Sequence, residues 1–240
     1  MTSAIVLQAR MGSRRLPGKV MADIAGRPLI AHCVERLGRS GLPVVIATTT
    51  RPEDDALEAE GRRLGVDVLR GPEEDVLKRY AMAVTRYGLS DLIRATADNP
   101  AVDVDAVTRT LDLLRRTGAD HVVEHRLPLG AAVEAVSAAA ILRADELAVD
   151  AYDREHVTPL IRRDGRFFAL DALAPGHLRQ PQLRFTVDLP EDLSFMRRLI
   201  ASAEAAAEPP VPLFALIALA SRRDWDADDG GAPASRSDAR

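Results

Sequence analysis

Short apolar runs rich in Val and Ile recur along the chain at residues 4–9, 44–48, 67–69, 91–97 and 120–124. Runs of this kind, with little polar alternation, predict strands buried on both faces. Between them the apolar positions take on the helical period: Leu29, Ile30, Cys33, Val34 and Leu37 share one face, and Gly38 and Gly41 follow as stops. Further helices are predicted over residues 52–64, 73–87 and 104–117, ending at Gly65, Gly88 and Gly118. Basic residues such as Arg86, Arg115 and Arg116 stand in the last turns, where they complement the helix dipole. Strand alternating with helix through short connections predicts an α/β fold, a mostly parallel central sheet flanked by helices and wound by right-handed crossovers.

The second half is less regular. Helices are predicted over 137–148 and 154–163, strands over 167–173 and 183–187, and a helix from Pro190 with Glu191 and Asp192 in its first turn. The stretch 208–212 contains three prolines and ends that helix, and a short apolar helix follows over 213–220. Residues 223–240 are polar and rich in small residues, which predicts a disordered tail behind one domain spanning 1–222.

Composition narrows the function. With 47% hydrophobic and 28% charged residues among 240, the chain is long and apolar enough to bury a sizeable core. Thirty-two Lys and Arg against 36 Asp and Glu give a formal charge of −4, so no basic field is available to hold nucleic acid or an anionic membrane, and an anion site must be local. A single cysteine, Cys33, excludes an intrachain disulfide and a multi-cysteine metal centre; it suits a reducing cytoplasm and reads as a buried apolar side chain. The run at 4–7 is shorter than a signal peptide, and the stretch 211–220 is shorter than the roughly 20 residues of a membrane span. A soluble cytoplasmic protein is expected.

The local anion site is visible directly after the first strand. Gln8-Ala-Arg-Met-Gly-Ser-Arg-Arg-Leu-Pro-Gly-Lys19 carries two glycines, three arginines and a lysine. Glycines let backbone N–H groups approach an anion, Arg offers a two-pronged fork and Lys a point charge. The loop also lies where open α/β sheets bind ligands, beyond the carboxyl end of a strand. Neither a P-loop nor a dinucleotide fingerprint is present. Asp98 closes the apolar run 91–97 at the same rim, and on the residues alone it reads equally as a magnesium ligand or as a turn cap. Asp188 precedes the helix from Pro190, where a helix cap is the simpler reading.

The same loop closely resembles the N-terminal signature of the CMP-sugar synthetase (cytidylyltransferase) superfamily, in its spore-coat-polysaccharide-like branch. The resemblance continues in order through Gly26-Arg-Pro-Leu-Ile, Ala47-Thr-Thr, Arg70-Gly, Asp75-Val-Leu-Lys-Arg-Tyr80, Thr96-Ala-Asp-Asn-Pro100, Arg154-Glu-His-Val-Thr-Pro159 and Phe185-Thr-Val-Asp-Leu-Pro-Glu-Asp192. It implies a nucleotide-diphospho-sugar transferase (GT-A, Rossmann-like) fold that joins CTP to an acceptor and releases pyrophosphate. Mg²⁺ is the implied metal, with Mn²⁺ able to substitute. Arg10, Ser13, Arg15 and Lys19 would hold the triphosphate, beside Gln8 and the backbone of Ala9, Met11 and Gly12. Thr48 and Arg79 would flank the cytosine and ribose, Asp98 would be the principal metal ligand and Asp188 the second. Arg10, Lys19, Asp98 and Asp188 thus form the implied catalytic set, and Glu134 and His156 would face the acceptor. Acceptor and dimer contacts are expected within about 120–190, in a homodimer. Arg14 and Asn99 stand where relatives often carry Thr and Cys.

The reading is a cytidylyltransferase acting on a small acidic acceptor, a sugar acid or a phosphate- or phosphonate-bearing metabolite. The alternatives are a nucleotidyltransferase for another NTP, a glycosyltransferase on the same fold, against which the Arg-Leu-Pro-Gly-Lys loop speaks, and a non-catalytic nucleotide-binding subunit.

Overall fold

The computed structural model describes residues 2–222, so the tail expected over 223–240 lies outside the described residues. Strand β1 (Ser3–Gln8) is central because both of its faces meet apolar partners: Ile5 and Leu7 enter one core cluster, Ala4 and Val6 the other. A small antiparallel ribbon of β2 (Asp23–Ile24) and β3 (Arg27–Pro28) leads into helix α1 (Leu29–Gly38), on which Cys33 is fully buried, as its place on the apolar face predicted. Strand β4 (Val44–Thr49), helix α2 (Asp55–Leu64), strand β5 (Asp67–Gly71), helix α3 (Val76–Tyr87), strand β6 (Asp91–Thr96) and helix α4 (Val104–Thr117) then follow the predicted alternation. Helix α3 starts at Val76 and not at residue 73 because the Asp75 carboxylate caps it, accepting from Lys78 N at 2.8 Å.

The second half departs from the prediction in three places. Strand β7 (His121–His125) is followed by β8 (Glu134–Ser137), a four-residue strand absent from the sequence reading, and Ser137 caps helix α5 (Ala138–Leu147). The helix predicted over 154–163 is two helices, α6 (Ala151–His156) and α7 (Pro159–Arg163). Pro159 has no N–H to continue the first helix and instead opens the second, and Val157 turns the chain between them with φ 74°. Strand β9 (Ala169–Leu173) forms, but residues 183–187 make only a single bridge, Leu129 to Arg184, and no strand. The run is apolar because it is buried, with Leu183, Phe185, Thr186 and Val187 all inside, yet it forms no hydrogen-bonded ladder. Helix α8 (Pro190–Glu204) packs on α9 (Leu213–Ala220), the short apolar helix expected there.

The seven strands run in the order β5-β4-β1-β6-β8-β7-β9, with β8 antiparallel to both neighbours and the other pairs parallel. The carboxyl ends of β4, β1 and β6 therefore lie side by side on one rim. No helix among the described residues is long and apolar enough to cross a membrane.

Candidate active site

The loop leaving β1 folds back on itself: the backbone N–H groups of Ser13 and Gly18 both donate to Met11 O, at 2.9 and 3.0 Å. Gly18 adopts φ 70°, a left-handed conformation that a side chain would strain, and so delivers the chain into the short turn that carries Lys19. The buried carboxylate of Asp54 fastens the loop from outside, accepting from Met11 N at 2.7 Å, from Thr49 N at 3.1 Å and from the Thr49 hydroxyl. Asp54 had no place in the sequence reading, although an acid among the Pro52-Glu-Asp-Asp55 start signals was its visible trace.

Lys19 reaches across the rim. Its ammonium donates to Asp98 Oδ2 at 3.1 Å, to Asp188 Oδ1 at 2.9 Å and to the backbone carbonyl of Val187 at 2.7 Å. The two carboxylates are also joined through main chain, since Val187 N donates to Asp98 O at 2.8 Å. Asp98 keeps its other oxygen on the Thr96 hydroxyl at 2.6 Å. Burial alone would raise the pKa of Asp188, but the Lys19 hydrogen bond and the charges of Lys19, Arg15 and Arg184 outweigh it and hold the carboxyl below its ordinary range. The helix-cap alternative for Asp188 fails. Asp192 does that work, accepting from the N–H groups of both Asp188 and Leu189 at 2.9 Å, which leaves the Asp188 carboxylate turned toward cations.

A cleft of about 380 Å³ opens over this pair. Of the residues singled out in the sequence, Gln8, Ala9, Arg10, Ser13, Arg15, Lys19, Arg79, Asp98, His156 and Asp188 line it; Met11, Gly12, Thr48 and Glu134 do not. Thr48 is fully buried with its hydroxyl unpartnered among the described residues. Arg79 is only 2% exposed; its Nη1 donates to Ala47 O at 3.1 Å, its Nε has no partner among the described residues, and burial lowers its pKa. It fits because position 71 is Gly, where a Cβ would stand 2.8 Å from Arg79 Cγ. Arg10, Arg14, Arg15, Lys19, Arg79 and Arg94 face Asp98, Glu155 and Asp188 across the cleft, an excess of cations suited to a polyanion.

A glycine- and arginine-bearing loop, a carboxylate pair and a cationic cleft share the rim of an α/β sheet, and a family model described as cytidylyltransferase matches residues 4–209. The chain belongs to the cytidylyltransferase family. It is a nucleotidyltransferase by that membership. This cytidylyltransferase is 34% identical over 225 residues to the spore coat polysaccharide biosynthesis protein SpsF of Bacillus subtilis, covering 90% of this chain and 93% of the relative. A 3-deoxy-manno-octulosonate cytidylyltransferase of Yersinia enterocolitica is 34% identical over 123 residues, about half of either chain at 50% and 48%. The solved structure of a cytidylyltransferase from Leptospira borgpetersenii superposes with a TM-score of 0.84 at 27% identity, over 91% of this chain and 93% of that one. The resemblance carried by the loop and the motifs after it is thereby substantiated, and so is the Rossmann-like α/β fold.

On its β8 side the cytidylyltransferase differs from the sequence expectation for Glu134. Cross-strand register sets Glu134 opposite Arg94, and its two oxygens are taken, Oε1 by Arg94 Nη1 at 2.8 Å and Oε2 by His121 Nε2 at 2.9 Å. Burial opposes its ionisation, yet the Arg94 charge and the His121 hydrogen bond prevail and bring its pKa down to about 2. Arg94 and Glu155, which the sequence reading missed, line the cleft where Glu134 was expected, and His156 stands at its rim with its ring 4.4 Å from that of Tyr152.

Proposed function

We propose that the protein is a CTP-dependent, Mg²⁺-requiring cytidylyltransferase that transfers CMP to a small acidic acceptor and releases pyrophosphate. The observation that carries this reading is the Lys19 ammonium held between Asp98 and Asp188 at the mouth of the loop bearing Arg10, Ser13 and Arg15. That donor set suits magnesium, which prefers carboxylate, water and phosphate oxygens, and the two carboxylates already accept one cationic group. Asp98 and Asp188 would hold the ion, with Mn²⁺ an acceptable substitute; when bound it neutralises charge on the phosphates.

In this reading Arg10, Ser13, Arg15 and Lys19 would grip the triphosphate. Arg79 at the β4 end takes the nucleoside side. An acceptor oxygen approaching from the β6 and β8 side attacks the α-phosphorus in line: the new P–O bond forms as the bond to pyrophosphate breaks. Orientation and charge neutralisation supply most of the rate. An acidic acceptor agrees with the cationic excess of the cleft and with the sugar acid named for the Yersinia relative. We extend the proposal to a cytoplasmic homodimer, to be checked by light scattering.

The test is pyrophosphate release and equilibrium binding with each of the four common NTPs. CTP is expected to be preferred. A clear preference for GTP, UTP or ATP would refute the cytidylyl reading and keep nucleotidyl transfer, and CTP binding without release under any acceptor would favour a binding subunit.

A further inference from the structure

Arg94 is a charged residue in a strand whose other positions up to Ala95 are buried, and it faces the cleft from the floor of the sheet. Its Nη1 donates to Glu134, while its Nε is buried and donates to no partner among the described residues. A desolvated donor left unpaired is unfavourable, so the guanidinium is arranged for a partner that the protein does not supply. Strand order says where that partner sits. Arg79 bonds to β4 and Arg10 follows β1, whereas Arg94 is one strand further on, against β8, in the cleft that His156 also lines. Glu134 ties this corner together, since its second oxygen is held by His121 Nε2 at 2.9 Å while the first holds Arg94.

We propose that Arg94 receives a carboxylate of the acceptor and that Glu134 is a positioning residue, holding the Arg94 guanidinium at the acceptor end of the cleft. The inference rests on the cytidylyl-transfer reading and adds the chemical group that the acceptor must carry. A guanidinium fork matches a planar carboxylate. Because Glu134 stays ionised, the Arg94–Glu134 pair is close to neutral, and a dianionic phosphate would lie next to a fixed carboxylate. A single negative charge meets less repulsion there.

The test compares sugar acids, sugar phosphates and neutral sugars as acceptors by pyrophosphate release from CTP, with CTP affinity measured separately by calorimetry. The parent should turn over a carboxylate-bearing acceptor in preference to its amide and to sugar phosphates. Arg94→Ala should raise the KM for that acceptor at least about tenfold, the scale of one charged hydrogen bond, and leave CTP affinity unchanged. Arg94→Lys preserves the charge opposite Glu134, and with it the fold, and should fall between parent and Arg94→Ala. Glu134→Gln should raise the acceptor KM more than it lowers kcat. Preferred turnover of a phosphorylated or neutral acceptor overturns the proposal, as do an unchanged acceptor KM in both Arg94 variants and a parent that binds CTP but uses no carboxylated acceptor. A parent that fails to bind CTP overturns the cytidylyl reading and this inference with it.

Discussion

The Lys19 ammonium lies 3.1 Å from Asp98 Oδ2 and 2.9 Å from Asp188 Oδ1, so one side chain binds the loop after β1 to carboxylates that stand 79 and 169 residues further along the chain. Truncating it does two things. Lys19→Ala removes a proposed phosphate ligand and also leaves two carboxylates facing each other without their cation. Turnover and triphosphate affinity should fall at least about tenfold, and unfolding free energy should drop by about 1.5–3 kcal/mol, the range for hydrogen bonds to charged groups. Urea denaturation and CTP titration measure the two effects. A variant as active as the parent would show that Lys19 serves only the fold.

Gly71 should tolerate no side chain. A Cβ there would stand 2.8 Å from Arg79 Cγ and 3.1 Å from Met82 Sδ, and Arg79 is too deeply buried to move aside freely. Gly71→Ala should cost about 1–3 kcal/mol of stability, as overpacking of a close-packed site does, and should weaken nucleotide binding by displacing the guanidinium. Parental stability together with parental CTP affinity would mean that Arg79 has room to shift and no part in the nucleotide site.

The two halves of the cleft differ in how far the sequence discloses them. The loop and Asp98 are legible because each sits at the end of an apolar strand buried on both faces, where a polar cluster has no packing role. Arg94 is concealed inside such a strand, and its partner Glu134 lies 40 residues away in a strand of four residues with small neighbours. Only the antiparallel register of β6 and β8 brings them together. A charge within a doubly buried run was nonetheless a signal that some partner must exist. Asp188 and Asp192 present the reverse difficulty: both stand at the start of α8, and sequence alone does not say which one caps the backbone and which is left for cations. The run at 183–187 misled for a related reason, since an apolar run records burial and not pairing.

Glu134 should impose a pH dependence on stability. Its pKa is about 2 in the fold, below the ordinary value near 4.3 that it regains when unfolded. A depressed carboxylate stabilises fully above its unfolded pKa and loses that contribution as the pH falls through the unfolded value toward the folded one. The melting temperature of Glu134→Gln should therefore lie well below that of the parent at pH 7, and the gap should narrow between about pH 5 and pH 2. A gap that stays constant across that range would mean the carboxylate contributes shape alone.

The sharpest test of the metal assignment compares the two aspartates. Asp188 shares its charge with Lys19, Arg15 and Arg184, at 2.9, 3.0 and 2.8 Å, whereas Asp98 has Lys19 and a neutral hydroxyl. More of the Asp98 charge is thus available to an ion. Asp98→Asn preserves shape and removes that charge, and by analogy with losing one electrostatic contact at a reacting centre it should cost about 3–4 kcal/mol, or on the order of a hundred- to a thousand-fold in rate. Asp188→Asn should lose activity by a smaller factor. The parent should be inactive in EDTA and recover with Mg²⁺ or Mn²⁺, and the magnesium needed for half-maximal rate should rise more for Asp98→Asn than for Asp188→Asn. Steady-state rates across a magnesium titration decide the order. Near-parental activity of Asp98→Asn at limiting magnesium would refute the assignment and the phosphoryl chemistry built on it.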